Sequence, residues 1–128
     1  MRARSRMTAM TAMTADTIAA LSTDARVVYE VNIDLDATIR DAYLAWLRPH
    51  MRELCALPGF IDSQLFEVDE PAAEAGRVSL CARYLLRDAV ALDAYLRDHA
   101  PRLRADGEAR FGGRFSASRR ILRSVDPA

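Results

Sequence analysis

The two histidines of the chain are its clearest candidates for chemistry. His50 follows Trp46 by one helical turn, and His99 follows Tyr95 at the same spacing. Each imidazole therefore falls on an apolar helix stripe beside an aromatic ring. An imidazole with a pKa near neutrality can take a proton from a weakly acidic phenol or enol. We expect His50 and His99 to be candidate catalytic bases; the alternative is two core histidines satisfied by backbone carbonyls.

The side chains near the histidines indicate what kind of ligand such a site would take. Tyr43, Trp46 and Tyr95 share the histidines' helix faces, which suits a flat aromatic or hydrophobic molecule with few polar groups. Arg102 and Arg104 lie at the start of a further helical segment, where two guanidinium groups could hold a carboxylate or phosphate of the ligand. The alternative is that the arginines of this half pair with acidic residues of the first half: Asp62, Glu67, Asp69 and Glu70.

Other site chemistries find little support in the sequence. The histidines are 49 residues apart, and the carboxylates beside them lack the spacing of metal ligands. No glycine-rich phosphate loop and no GxSxG motif is present. Cys55 and Cys81 lie in apolar sequence without a CxxC motif, so we expect reduced, buried thiols. The sequence therefore predicts neither a metal nor a cofactor.

Charge and hydropathy exclude two classes of partner. The 128 residues carry 18 basic groups, all of them arginine, against 18 acidic ones, so the formal net charge is zero. Proteins that bind nucleic acid by bulk electrostatics carry an excess of basic residues. No apolar run approaches the roughly 18 residues that a membrane span needs. We expect no nucleic-acid or membrane partner, and the predicted free thiols favour a cytoplasmic location.

The first 24 residues differ in character from the rest of the chain. They are basic and repeat methionine, threonine and alanine, and the threonines interrupt what would be the apolar region of a targeting peptide. We interpret residues 1–24 as a disordered leader or as the result of a start codon assigned too early. Residues 25–126 then form one domain.

Hydrophobic periodicity within that domain predicts six elements. Alternating residues indicate strands over 27–33, 60–68, 77–86 and 115–125. A helix begins after Asp34 or Asp36 and ends at Pro58-Gly59, kinked or restarted near Arg48 by Pro49. A second helix starts at Asp88, and Pro101 begins a fresh helical segment. The order is βαββαβ, a ferredoxin-like α+β fold with four antiparallel strands and both helices on one face.

The second face of that sheet predicts a partner. Its strands keep apolar or semi-polar residues on both sides, and no further helix remains to cover the second face. A symmetric homodimer through this face is the economical solution; a monomer with a wet face is the alternative. Glu30 and Arg83 lie on this face, and we expect them to pair because a buried guanidinium needs a partner.

Several runs of the sequence carry a resemblance to a known family: 28–32, 43–50, 57–60, 95–107, 110–111 and 114–122. Together they resemble a family of small bacterial proteins with a domain of unknown function, related in fold to the dimeric α+β barrel proteins. The resemblance spans about residues 26–125 and implies a ferredoxin-like fold and a dimeric barrel. Relatives of that barrel include cofactor-free monooxygenases, haem-degrading enzymes and plain ligand binders, so fold alone does not settle function.

Function is accordingly expected to be one of three kinds. The first is a cofactor-independent monooxygenase or isomerase acting on an aromatic or hydrophobic substrate. The second is a non-catalytic ligand-binding or regulatory module. The third is a structural dimerisation unit with a closed core, which a cavity near His50 would argue against.

Overall fold

The computed structural model of the chain describes residues 25–126. The predictions made for residues 1–24 lie outside this range. The elements in chain order are β1 (Val27–Asp36), a 3₁₀ turn (Ala37–Ile39), α1 (Arg40–Cys55), β2 (Phe60–Glu67), β3 (Arg77–Leu86), α2 (Ala89–Asp98), α3 (Ala100–Phe111) and β4 (Phe115–Arg123).

The four strands form one antiparallel sheet in the order β2-β3-β1-β4. The central strand β1 alternates as the sequence predicts: Val27, Tyr29, Ile33 and Leu35 are buried beneath the helices. This arrangement is the predicted ferredoxin-like α+β fold, which is thereby confirmed. The predicted range of β3 matches the structure, whereas β1 extends three residues further and β4 ends two residues earlier.

Local capping explains where the helices begin. The carboxylate of Asp36 accepts a hydrogen bond from the Thr38 N–H at 2.9 Å and starts the 3₁₀ turn. Asp88 accepts one from the Ala91 N–H at 2.8 Å and caps α2. After α1, Gly59 adopts a φ of +85° that favours glycine and turns the chain into β2.

Helix α1 continues through Pro49 without interruption, so the predicted restart near Arg48 is wrong. Proline removes only the hydrogen bond to the carbonyl of Ala45, and both residues are exposed, so water can take that bond. Buried Leu47 and Met51 on either side of the proline hold the helix against the core. Packing therefore outweighs the local cost of proline.

The second face of the sheet carries a charged cluster. Glu30 lies in β1 between Arg83 of β3 and Arg120 of β4, and is only 5% exposed. The predicted pair with Arg83 is present at 3.6 Å, but Arg120 is the closer partner at 2.7 Å. The amide of Asn32 adds a third contact at 3.0 Å. Side chains of the sheet itself thus shield this carboxylate from solvent.

No helix between residues 25 and 126 is long and apolar enough to cross a membrane.

Candidate functional site

A cavity of about 310 Å³ lies between the helix-covered face of the sheet and helices α1 and α3. Of the residues predicted for a site, five line it: Tyr43, Trp46, His50, Tyr95 and Arg104. The structure thus brings five of the seven predicted site residues together beside one cavity. A cavity at His50 argues against the third functional expectation, a structural dimerisation unit with a closed core.

Trp46 and His50 form one wall of the cavity. Their rings stack with centroids 4.5 Å apart and an angle of 25° between the planes. The indole Nε1 donates a hydrogen bond to Asp106 of α3 at 2.9 Å, and Asp106 also accepts one from Arg110 at 3.2 Å. This chain of contacts fixes the indole and, through it, the plane on which the imidazole rests.

The environment of His50 keeps its ring neutral. Burial disfavours the charged imidazolium and lowers the pKa of His50 below its ordinary value of 6.5, although Glu53 and Asp106 act in the opposite direction. At pH 7 the side chain therefore has a nitrogen lone pair available to accept a proton.

Four tyrosines line the cavity, all of them buried. Desolvation raises the pKa of Tyr43 and of Tyr95 to about 12, and it raises the pKa of Tyr84 further. The Tyr29 hydroxyl accepts a hydrogen bond from Arg104 at 2.9 Å. Hydroxyls of the other three bond to no residue between 25 and 126, which leaves three neutral phenols free to bond with a ligand or water.

Charged side chains mark where the cavity meets solvent. Arg104 and Glu108 of α3 and Arg119 of β4 line the cavity and are exposed. Sequence reasoning did not place Arg119 in the site. Its position follows from strand alternation, because apolar Phe115 and Ala117 precede it on the same face of β4.

Two predicted site residues lie outside the lining of this cavity. His99 does not line the cavity: it lies where α2 ends and α3 begins, and its ring stacks against Tyr95 with centroids 6.5 Å apart. Arg102 forms an ion pair with Glu53 at 3.1 Å. Residues two apart on a helix point to nearly opposite sides, so Arg102 contacts Glu53 whereas Arg104 lines the cavity.

Most arginines of the second half do pair with carboxylates, as the alternative interpretation held, but with different partners from those expected. None of them pairs with the four predicted acidic residues; Glu67 instead pairs with Arg40 at 2.9 Å. The pairs that form are Arg77–Asp34, Arg83–Glu30, Arg87–Asp88, Arg97–Asp98, Arg102–Glu53, Arg110–Asp106, Arg114–Asp36 and Arg120–Glu30.

Gly107 is another feature that sequence reasoning missed. A Cβ at this position would lie 3.1 Å from Cη2 of Trp46, so glycine permits α3 to approach the indole closely. Among residues 25–126, no three histidine, cysteine, aspartate or glutamate side chains come together in a way that could hold a metal ion.

Architecture and cavity together define a ferredoxin-like α+β protein with a ligand-sized space beneath its helices. The chain belongs to the family defined by the domain of unknown function DUF4286, whose model matches residues 26–125. That match covers the region in which the sequence resemblance was found. No curated protein matches the chain.

Solved structures with the same fold are distant in sequence. Rv0793 from Mycobacterium tuberculosis is 21% identical, covers 81% of this chain and 99% of its own, and has a TM-score of 0.60. An ethyl tert-butyl ether D (EthD) family protein from Bacillus halodurans C-125 is 17% identical, with 77% and 99% covered and a TM-score of 0.55. SnoaB, a cofactor-independent oxygenase from Streptomyces nogalater, is 10% identical, with 80% and 96% covered and a TM-score of 0.54. These likenesses show the shared fold.

Proposed function

We propose that this protein binds a small, flat aromatic or hydrophobic molecule in the cavity and uses His50 as a general base on it. The observation that carries this proposal is a neutral imidazole, stacked on Trp46, in the wall of a cavity lined by four tyrosines. Aromatic walls with a few polar groups are typical of small-molecule sites. His99 has no part in this proposal, because it lies outside the cavity.

The chemistry available to such a site is proton transfer. His50 would take a proton from an acidic O–H or C–H of an enolisable or phenolic substrate. Return of that proton at a second atom gives an isomerisation, which needs no other reactant. Attack of the resulting carbanion on dioxygen, which is the oxidant, gives a peroxide anion that takes the proton back from His50. Loss of water from this hydroperoxide leaves one oxygen atom in the product as a carbonyl and releases the other as water, without a cofactor. The description of SnoaB as a cofactor-independent oxygenase supports this second course by analogy of fold.

A non-catalytic ligand-binding module is the second candidate, and one observation favours it. No residue between 25 and 126 forms a hydrogen bond with the His50 ring, and burial and charge alone account for its altered pKa. Catalytic bases are usually oriented by a third group. A ring held only by stacking suits ligand contact as well as it suits catalysis.

The test separates the two candidates with matched histidine variants. Enolisable and phenolic aromatic compounds are screened for binding by Trp46 fluorescence and for product by mass spectrometry. Catalysis by His50 requires product with the wild type and with His99→Gln, and none with His50→Gln that still binds. Binding without product in any of them supports the module. If the wild type showed no binding and formed no product, both candidates would be contradicted.

We also infer that the protein is a homodimer packed through the second sheet face. Apolar Val28, Leu85 and Leu122 form a neighbouring group on that face, and no element between residues 25 and 126 covers them. Sedimentation equilibrium of the full chain and of Leu122→Glu tests this: we expect a dimer that the variant dissociates. A monomeric wild type would contradict the inference.

Three other expectations from the sequence stay predictions: the cytoplasmic location, the lack of a nucleic-acid partner and the leader at residues 1–24.

A further inference from the structure

The cavity's two arginines differ from most of the other arginines in the second half of the chain. No carboxylate between residues 25 and 126 lies within 4 Å of either Arg104 or Arg119, whereas six others from Arg87 onward each contact one. Arg104 uses one Nη2 hydrogen bond on the neutral Tyr29 hydroxyl. Two guanidinium groups therefore reach the cavity with their charge unneutralised by a salt bridge.

The same two arginines act on one part of the cavity. Each opposes the rise in the pKa of Tyr95 that burial causes, as does Arg102, so all three lie within electrostatic reach of that phenol. Of the three, only Arg104 and Arg119 line the cavity, and Arg102 is paired with Glu53. Glu108 is the other charged residue of the lining; it raises the pKa of Tyr43, which Arg119 lowers. With His50 neutral, two positive groups and one negative group leave the cavity lining one positive charge in excess.

We propose that Arg104 and Arg119 form a subsite for a carboxylate, and hence that the ligand is a small aromatic monocarboxylate. This inference rests on the proposed function, because it describes the ligand of the same cavity. The ring lies among Tyr29, Tyr84 and Tyr95, and the carboxylate faces the arginines at the solvent side. Charge-assisted hydrogen bonds from guanidinium to carboxylate are short and strong, which suits this arrangement.

The charge balance selects a carboxylate over a phosphate. A phosphate monoester carries close to two negative charges at pH 7, whereas the cavity lining has an excess of one positive charge. The Glu108 carboxylate would repel the second negative charge. Arg104 also has fewer free donors than an unbound guanidinium, because it already bonds to Tyr29.

The experiment compares 2-naphthoate with 2-naphthamide, a neutral molecule of nearly the same shape, by isothermal titration calorimetry on the full chain. Arg119→Gln and Arg104→Gln remove one cation each. Arg123→Gln is the matched control, because Arg123 lies on the same face of β4, is exposed and lies outside the cavity lining. Far-UV circular dichroism checks that each variant folds.

We expect the wild type to bind the naphthoate at least about tenfold more tightly than the amide, a difference of about 1.4 kcal/mol. Arg119→Gln and Arg104→Gln should each weaken naphthoate binding by about tenfold and leave amide binding unchanged. Arg123→Gln should change neither. Added salt should weaken binding of the naphthoate only.

Three results would overturn the carboxylate subsite. Equal wild-type affinities for the two probes would do so and leave the aromatic cavity intact as a binding site. Arginine variants that weaken both probes equally would mean that the guanidinium groups only shape the cavity. No binding of either probe at millimolar concentration would overturn the proposed small-molecule function together with the subsite.

Discussion

Arg120 of β4 donates a hydrogen bond through Nε to Oε2 of Glu30 at 2.7 Å, across a pair of directly opposed residues in adjacent strands. This bond, followed by that from Asn32, lowers the pKa of Glu30. Arg83 contacts the other carboxylate oxygen from the opposite side. The only buried charged residue of the domain's described part is thus held between cations of two neighbouring strands.

Replacement of Glu30 should destabilise the fold. Glu30→Gln leaves the two guanidinium groups that flank residue 30 without their carboxylate, and we expect a loss of about 2 kcal/mol in the free energy of unfolding. Urea denaturation at pH 7 measures it. Arg120→Gln should cost less, because Arg83 remains, and the double variant Glu30→Gln/Arg120→Gln should cost less than the sum of the two. Strict additivity would show that the contact contributes nothing.

The same carboxylate predicts a pH dependence. A folded-state pKa below the ordinary 4.5 means that the stabilisation is fully present above pH 4.5 and is lost as the pH falls through the folded pKa. Urea unfolding of the wild type should therefore lose stability below pH 4.5 more steeply than unfolding of Glu30→Gln. An equal loss of the free energy of unfolding in the two proteins below pH 4.5 would contradict this assignment.

Gly59 is expected to be less replaceable than Gly76. Gly59 and Gly76 both have positive φ, but a Cβ at Gly59 would collide with Cβ of Ala91 in α2, whereas one at Gly76 meets nothing within 4 Å. Gly76→Ala should lower the free energy of unfolding by about 1–2 kcal/mol through backbone strain alone. Gly59→Ala should cost about 1–3 kcal/mol more from the clash. Similar melting temperatures for the two variants would contradict this.

The pKa of His50 can be measured directly. An NMR titration of the imidazole signals, assigned with His50→Gln and His99→Gln, should give His50 a pKa below 6.5 because burial disfavours its charged form. At pH values between that pKa and 6.5, the His50 imidazole is largely protonated in the unfolded chain and largely neutral in the folded one. Stability should therefore fall as the pH drops through this window, and His50→Gln should remove that contribution. A pKa above 6.5 would refute the neutral imidazole on which the proposed base depends.

Two tyrosine hydroxyls should differ in their effect on stability. Tyr29→Phe removes the acceptor of the Arg104 hydrogen bond and should cost about 1 kcal/mol. Tyr84→Phe removes a hydroxyl that has no partner between residues 25 and 126, and should change the free energy of unfolding by less than about 0.5 kcal/mol. Chemical denaturation of both variants measures the contrast. An equal cost would mean that the Tyr84 hydroxyl has a partner of equal strength.

The fold follows from the sequence wherever the local signal and the packing agree. Strand β3 alternates strictly from Arg77 to Leu86, and Asp88 caps the helix after it, so both were predictable. Pro49 was misleading because the hydrogen bond that it removes lies at an exposed turn, where water can replace it. No sequence pattern reports how firmly the residues beside it pack against the sheet.

The site was predictable only in part, for a geometric reason. Tyr43, Trp46 and His50 share one helix, and helical spacing alone places them together. The helix that contains Tyr95 ends at Asp98, one residue before His99, so helical spacing from Tyr95 does not predict where the His99 ring lies. Arg119 reaches the cavity through the pairing of β1 with β4, which brings residue 31 opposite residue 119. Strand alternation gives the face of β4 on which Arg119 lies, but no local sequence pattern shows that residues 31 and 119 are neighbours.

The pairing of β1 with β4 also has a consequence for biosynthesis. Strand β1 is the first to leave the ribosome, yet one of its edges stays unpaired until β4, which pairs Val27 with Arg123, has been made. Contacts this distant along the chain form slowly and expose strand edges meanwhile. The wall of the cavity that carries Arg119 forms only when β4 pairs with β1. We therefore expect a nascent chain stalled before residue 115 to depend on chaperones and to lack any ligand affinity.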